Sequence, residues 1–213
     1  MIEASDSSAA IAALAQTKPE FTLLGFLNDA MAPGERIGGV PVLGPFLSWR
    51  ELPEDATFVA PLHKAGAMRE RVAIVADLGI PEHCWTTIID PRSAVASDAV
   101  IGLGCFVAPF ASIGPGACLG SHTVARIGAH VSHDCTVGSF VFIGTNAVVC
   151  GYSKLHDGAY IAPSATIRDR CTVGTFAVVG LGSVVSRDVP DFVEVAGSPA
   201  RRKPGPAGGG QGP

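Results

Sequence analysis

From Ile89 to Val185 every sixth residue is aliphatic, except Ala125, which is still small and apolar, and the register never slips. An amphipathic helix repeats its apolar residues at three-to-four spacing and a half-buried strand at two. A period of six fits neither alone. It fits a short strand, a corner, and another short strand. Four residues after each aliphatic the slot is mostly small, as at Ala111, Thr123, Ala129, Cys135, Ala147, Ala165 and Cys171. The position directly after the aliphatic is often glycine (Gly102, Gly114, Gly120, Gly138, Gly144, Gly174, Gly180), read here as relief for the bend. A single rung cannot bury its apolar face, so rungs must stack into a solenoid. About sixteen hexads at three per coil give about five coils, enough for a continuous core.

Composition narrows the function classes. The formal net charge is −4, so no basic face points to nucleic acid. No apolar run approaches the roughly 18 residues of a membrane span. The N-terminus lacks the basic-then-apolar pattern of a signal peptide. The six cysteines form no C-x-x-C pair, and Cys105, Cys135 and Cys171 occupy the small slot of the repeat. They read as buried apolar residues of a reducing, cytoplasmic protein rather than disulfides or metal ligands.

Residues 1–88 carry no hexapeptide period and are expected to form a small α/β domain with a parallel sheet. The pattern predicts a helix at Ala9 to Gln16 and a strand at Phe21 to Leu27 ending in Asn28-Asp29. Next come an extended Val40 to Leu43, a helical turn at Leu47 to Leu52, and a strand at Thr57 to Leu62. Ala65 to Leu78 reads as a helix with Met68, Val72 and Val75 toward the sheet, stopped by Gly79, and Thr86 to Ile89 as a strand into the solenoid. Residues 89–202 form the β-helix, and the Gly- and Pro-rich residues 203–213 read as a disordered tail.

The repeat resembles the left-handed parallel β-helix of the hexapeptide-repeat acyltransferases. That resemblance implies the handedness, a three-sided prism, and a homotrimer with active sites between neighbouring subunits. The segment GFLNDAMAPGERIGGVPVLG, residues 25–44, and the closing VPDFVEVAGSPARR resemble the sugar acyltransferases that include bacillosamine N-acetyltransferase and sialic acid O-acetyltransferase. In that family the N-terminal domain holds a nucleotide-linked sugar, which makes Asn28 and Asp29 substrate-binding candidates. Relatives open with a full strand and a glycine-rich loop, whose backbone N–H groups can approach a phosphate. Here only Met1-Ile2-Glu3 stands for the strand, and Ala4-Ser5-Asp6-Ser7 stands where the glycines are expected. Either the chain begins inside the family's first strand or this loop serves a different ligand.

The chemistry centres on VSHDC, residues 131–135. His133 lies two residues after the inward Val131, near a corner. An imidazole titrates near neutral pH and can take a proton from an amine or hydroxyl attacking a thioester. A carboxylate beside it can hold the ring. Taken alone, a histidine on a corner is a surface residue. The family, however, carries its catalytic base in an H-[DE]-C segment, which His133-Asp134-Cys135 matches residue for residue. Gly151 lies three hexads after His133 and should stack on it, where its N–H could hold an oxyanion, the role the family gives a glycine at this position. Acetyl-CoA, the implied co-substrate, runs along the groove between two β-helices. The matching positions are Pro163, Gly180, Leu181 and Gly182, with Arg201, Arg202 and Lys203 available for its phosphates. Phe142 stands where some relatives place a second histidine near the acetyl group, which implies a more apolar acyl pocket, and His130 is a further cleft candidate. His122 and His156 read as surface residues.

The leading expectation is an acyl-CoA-dependent transferase acting on an amino or hydroxyl group of a nucleotide-linked sugar. The alternatives are a non-catalytic binding or scaffold β-helix and a metal-dependent enzyme like the gamma-type carbonic anhydrases. His122, His130, His133 and His156 do not reproduce the ligand spacing of the latter, so no metal is expected.

Overall fold

The computed structural model describes residues 21–203. The expected helix at Ala9 to Gln16 and nearly all of the tail lie outside these residues.

From β4 (Ile88–Ile89) to β20 (Val184–Val185) each hexad contributes one two-residue strand. The strands stack in three parallel sheets, β4-β7-β10-β13-β16-β19, β5-β8-β11-β14-β17-β20 and β6-β9-β12-β15-β18. These are called the first, second and third sheets below. Each strand pairs with the one a full coil away, as His130 does with Ser112 below and Val148 above. The aliphatics point inward and are almost completely buried from Val107 through Val185, and the small slots Ala111, Cys135, Ala147 and Cys171 close the core between them. The result is a left-handed parallel β-helix. The hairpin of β21 (Glu194–Ala196) and β22 (Arg201–Arg202) extends the first sheet and closes the end.

Glycine's place in the repeat needs correction. The glycines directly after the aliphatics do not carry the bend. A Cβ at Gly114 would meet the backbone of Ser132 and His133 at 2.8 Å, and one at Gly144 would meet Pro163 N at 2.5 Å. They are small because the next coil lies directly against them. The left-handed backbone falls two residues later, at every sixth position from Gly104 to Gly182. Asp134, Tyr152 and Arg170 occupy it in successive coils. Each donates its N–H to the coil below: Asp134 to Pro115 O at 2.9 Å, Tyr152 to His133 O at 3.1 Å, Arg170 to Gly151 O at 3.0 Å. That bond offsets part of the cost, on the order of 1–2 kcal/mol, of placing a residue with a Cβ there.

Residues before the solenoid are less regular. β1 (Phe26–Leu27), β2 (Arg36–Ile37) and β3 (Val40–Gly44) form a three-stranded sheet in the order β1-β3-β2. β1 and β3 are parallel and β2 is antiparallel, so the sheet is mixed rather than parallel as expected. The expected strand at Phe21 to Leu27 shrinks to its last two residues, and residues 21–25 line an open, largely apolar cavity of about 490 Å³. Among the described residues Thr57 to Leu62 makes one bridge, Phe58 to Trp85; Pro61 has no N–H to donate to a ladder. Helix α1 (Met68–Asp77) buries Met68 and Val75 as read but leaves Val72 half-buried, with Gly79 at positive φ beyond its end. Trp49 Nε1 donates to Leu78 O at 3.0 Å, tying the helical turn Phe46–Glu51 to the end of α1. Ala60, Leu62, Val75, Leu78 and Trp85 form the domain's own core, with Phe140 of the solenoid packed against it. A second cluster, Ile88, Phe106, Ala108, Val124 and Phe142 with Val59, seats this region on the first sheet.

Candidate active site

Three columns of corners run along the solenoid. The first, between the first and second sheets, holds Phe110, Ile127, Pro163 and Leu181. The second, between the second and third sheets, holds His133-Asp134, Gly151-Tyr152 and Asp169-Arg170. The third, back to the first sheet, holds His122 and Phe140, which pack against the N-terminal residues, and Phe176, which stacks on Phe192.

The second corner brings together the candidates His133, Asp134 and Gly151. His133 Nδ1 lies 2.8 Å from Asp134 Oδ2, and both side chains are about half exposed (52% and 49%). Adjacency in sequence becomes contact because Asp134 holds a left-handed backbone at the turn. One coil above, Gly151 meets the imidazole itself. A Cβ there would stand 2.7 Å from His133 Nε2 and 2.8 Å from Cε1. The ring therefore has Asp134 at one nitrogen and the bare backbone of Gly151 at the other. The Gly151 N–H meets no acceptor among the described residues. An imidazole so held can accept a proton at Nε2 while Nδ1–H is donated to the carboxylate.

His130 lies on the outer face of the second sheet, with Ser112 Oγ 2.5 Å from Nδ1 and Ser132 Oγ 3.0 Å from Nε2. Both ring nitrogens are thus occupied by hydroxyls of the same chain. Sequence reasoning passed over Ser132, and over Tyr152 and Arg170 above it. Tyr152 meets the His133 ring edge-on, with centroids 5.0 Å apart, and the Arg170 guanidinium lies 4.8 Å from the Tyr152 centroid. The only signal in the sequence was their place three and six hexads after Asp134.

Other candidates lie elsewhere. Pro163, Gly180, Leu181 and Gly182 sit at the first corner, where Leu181 is 74% exposed, so the full width of the second sheet separates them from His133 in the same chain. Phe142 is not in a cleft beside His133. It belongs to the first sheet, is 9% exposed, and stacks on Tyr160 with centroids 4.5 Å apart beneath the N-terminal domain. Asn28 is buried and accepts the Ala30 N–H at 2.8 Å, while Asp29 accepts the Phe46 N–H at 2.6 Å, so both hold the loop after β1. Arg201 and Arg202 line a groove at the end of the solenoid together with Arg187, and Lys203 pairs with Glu194.

The reading of His122 as a surface residue is overturned. It is 9% exposed, stacked on Phe140 and met edge-on by Trp85, both with centroids at 4.6 Å. Burial pushes its pKa down to about 4. His63, which sequence reasoning did not single out, packs against Phe142 and is likewise lowered to about 4, chiefly by burial. His156 is exposed, as read. Burial raises the thiols of Cys105, to about 11, and of Cys135 and Cys171. All six cysteines are free. Among the described residues no three His, Cys, Asp or Glu side chains gather as a metal site, and no helix is long and apolar enough to cross a membrane.

No family model matches the chain. A curated relative, GDP-perosamine N-acetyltransferase of Escherichia coli O157:H7, is 35% identical over 121 residues, 54% of each protein, so the match spans about half the length of that relative. Solved structures align over nearly the whole chain. The acetyltransferase domain of PglB from Neisseria gonorrhoeae, determined with acetyl coenzyme A, is 28% identical at TM-score 0.84 and covers 95% of this chain and 97% of its own. PerB from Caulobacter crescentus, determined with CoA and GDP-perosamine, is 25% identical at TM-score 0.82, covering 95% of each. WeeI from Acinetobacter baumannii is 26% identical at TM-score 0.74, covering 95% of this chain and 97% of its own. The chain is a left-handed β-helix of stacked hexapeptide repeats, similar over nearly its whole length to the PglB acetyltransferase domain and to PerB, and over about half of it to GDP-perosamine N-acetyltransferase.

Proposed function

We propose that this protein transfers the acetyl group of acetyl-CoA to the amine of a nucleotide-linked amino sugar, with His133 as general base. The observation that carries this reading is the Asp134–His133–Gly151 stack, in which one imidazole nitrogen is held and the other faces a bare backbone. The Escherichia coli relative acts, by its name, on GDP-perosamine, PerB binds CoA with GDP-perosamine, and the PglB domain binds acetyl coenzyme A. These support the donor, the acceptor class and N- over O-transfer.

In the proposed reaction the amine lone pair attacks the thioester carbonyl carbon, and His133 Nε2 takes the amine's proton. Asp134 holds the imidazolium through Nδ1–H. The Gly151 N–H donates to the oxyanion of the tetrahedral intermediate. The carbon–sulfur bond then breaks, the carbonyl re-forms, and CoA leaves as the thiol after taking up the proton. The acceptor region is assigned to residues 21–87, with Asn28 and Asp29 shaping its loop and His130 beside the cleft.

The CoA contacts at Pro163 and Gly180, Leu181 and Gly182 cannot join His133 of the same chain, because a whole sheet intervenes. A second copy presenting its first corner to this second corner completes the cleft. The exposed apolar Phe110, Ile127 and Leu181 along the first corner support such packing in a homotrimer.

The test is thiol release from acetyl-CoA across a panel of nucleotide-linked amino and hydroxyl sugars, with sedimentation on the same sample. Turnover with an amino sugar, lost by about 10²–10⁴-fold in His133→Ala, is the expected result. Turnover that survives in His133→Ala would refute the assignment of the base.

A further inference from the structure

We infer that Tyr152 is a positioning residue that fixes the angle of the His133 imidazole, and that Arg170 holds Tyr152 in place. The inference rests on the reading of His133 as the base.

A single hydrogen bond at Nδ1 leaves the ring free to swing about that contact. Asp134 supplies one such bond, at 2.8 Å. Gly151 contributes no side chain, so it leaves room for the imidazole without restraining it. The second restraint is the Tyr152 ring, perpendicular to His133 (90°) with centroids 5.0 Å apart. Its own position is fixed from two sides. The Tyr152 N–H is bonded to His133 O at 3.1 Å, and the Arg170 guanidinium covers its ring at 4.8 Å. Arg170 is anchored in turn by its N–H on Gly151 O at 3.0 Å and by Asp169 at 3.3 Å. Asp134, His133, Tyr152, Arg170 and Asp169 thus form one ladder across three coils.

The backbone does not call for an aromatic residue here. Tyr152 has φ +60, where glycine is favoured, and glycine fills the equivalent turn position at Gly104, Gly116, Gly128, Gly158 and Gly182. Phe140 at the same position packs under the N-terminal domain. Tyr152 remains 47% exposed, and its ring contacts are the imidazole on one side and Arg170 on the other. The geometry points to orientation of the base as the use of this side chain.

The test compares Tyr152→Gly, Tyr152→Phe and Arg170→Ala in the full-length protein. Glycine removes the ring without straining the turn, so the melting temperature should hold or rise. The turnover number should fall by about tenfold, with the KM values for acetyl-CoA and sugar unchanged, since a misplaced catalytic group costs rate rather than binding. Tyr152→Phe should retain turnover, and Arg170→Ala should fall between. A readout independent of any acceptor is the imidazole ¹⁵N spectrum of His133. Its resonances should shift or broaden in Tyr152→Gly and hold in Tyr152→Phe. Unchanged turnover and spectrum in Tyr152→Gly would overturn the inference while leaving the base assignment to its own His133→Ala test. So would a rise in KM alone, which would mark a sugar contact, or a Phe variant as slow as the Gly variant, which would mark a role for the hydroxyl.

Discussion

His122 and His133 stand on corners of the same solenoid, less than one coil apart, and their surroundings give them opposite properties. His133 keeps a half-exposed ring paired with Asp134. His122 lies between Trp85 and Phe140, its Nδ1 buried with no hydrogen-bond partner among the described residues, and its pKa falls to about 4. The repeating backbone supplies near-equivalent corners. What covers a corner decides whether its histidine is packed away or left open to a substrate, as the proposed base His133 is. The N-terminal residues cover the third corner, where Trp85 meets His122, while His133 at the second stays half exposed.

The sharpest way to break this comparison is to remove each ring. His133→Ala should reduce turnover by about 10²–10⁴-fold with little change in melting temperature, because the ring is half exposed. His122→Ala should do the reverse, leaving kcat per folded molecule near wild type while destabilising by about 2–4 kcal/mol, comparable to emptying a buried aromatic site. Parallel kinetics and thermal melts check both, and a dead but stable His122→Ala would show that the third corner belongs to the site.

Glycines separate the two effects again on a finer scale. A Cβ at Gly151 would press on the imidazole, the movable end of a side chain, whereas a Cβ at Gly114 would press on the backbone of Ser132 and His133. Gly151→Ala should cost about 10²-fold in turnover, from displacement of the base by about 1 Å, with the melting temperature little changed. Gly114→Ala should lower the melting temperature and reduce activity only as folding fails. Equal melting shifts in the two variants would show that His133 cannot yield.

How much of this was legible beforehand follows from the same physics. A period of six determines which residues point inward, so the core could be read from spacing, whereas the three hexads per coil that put Gly151 on His133 rest on the three-sided prism that the family resemblance implies. The repeat does not encode docking of the aperiodic N-terminal domain. For that reason His122 was misread as exposed, and the burial of Phe142 against Tyr160, Val124 and Val59 was not foreseen. The role of the glycines after the aliphatics was misread for a related reason: close approach to the next coil and freedom to bend both select glycine, and only coordinates separate them. Tyr152 and Arg170 were missed because a turn position that accepts glycine, asparagine or phenylalanine elsewhere in the chain carries no chemical signature.

The smallest expected effect concerns acid stability. The folded-state pKa values of His63 and His122 are depressed to about 4, against an ordinary value of 6.5 in the unfolded chain. Between these values the unfolded chain binds protons that the folded chain refuses, so protonation favours unfolding. The stability these two buried neutral rings contribute is therefore complete above about pH 6.5 and declines as the pH falls toward 4. Thermal melts from pH 7.5 to 4 should show this decline, and His122→Phe, which keeps an aromatic ring between Trp85 and Phe140 but cannot take a proton, should flatten it. If His122→Phe declined as steeply as the wild type, the ring between Trp85 and Phe140 would not be a source of the acid sensitivity, and the covered corner would lose the property that sets it apart.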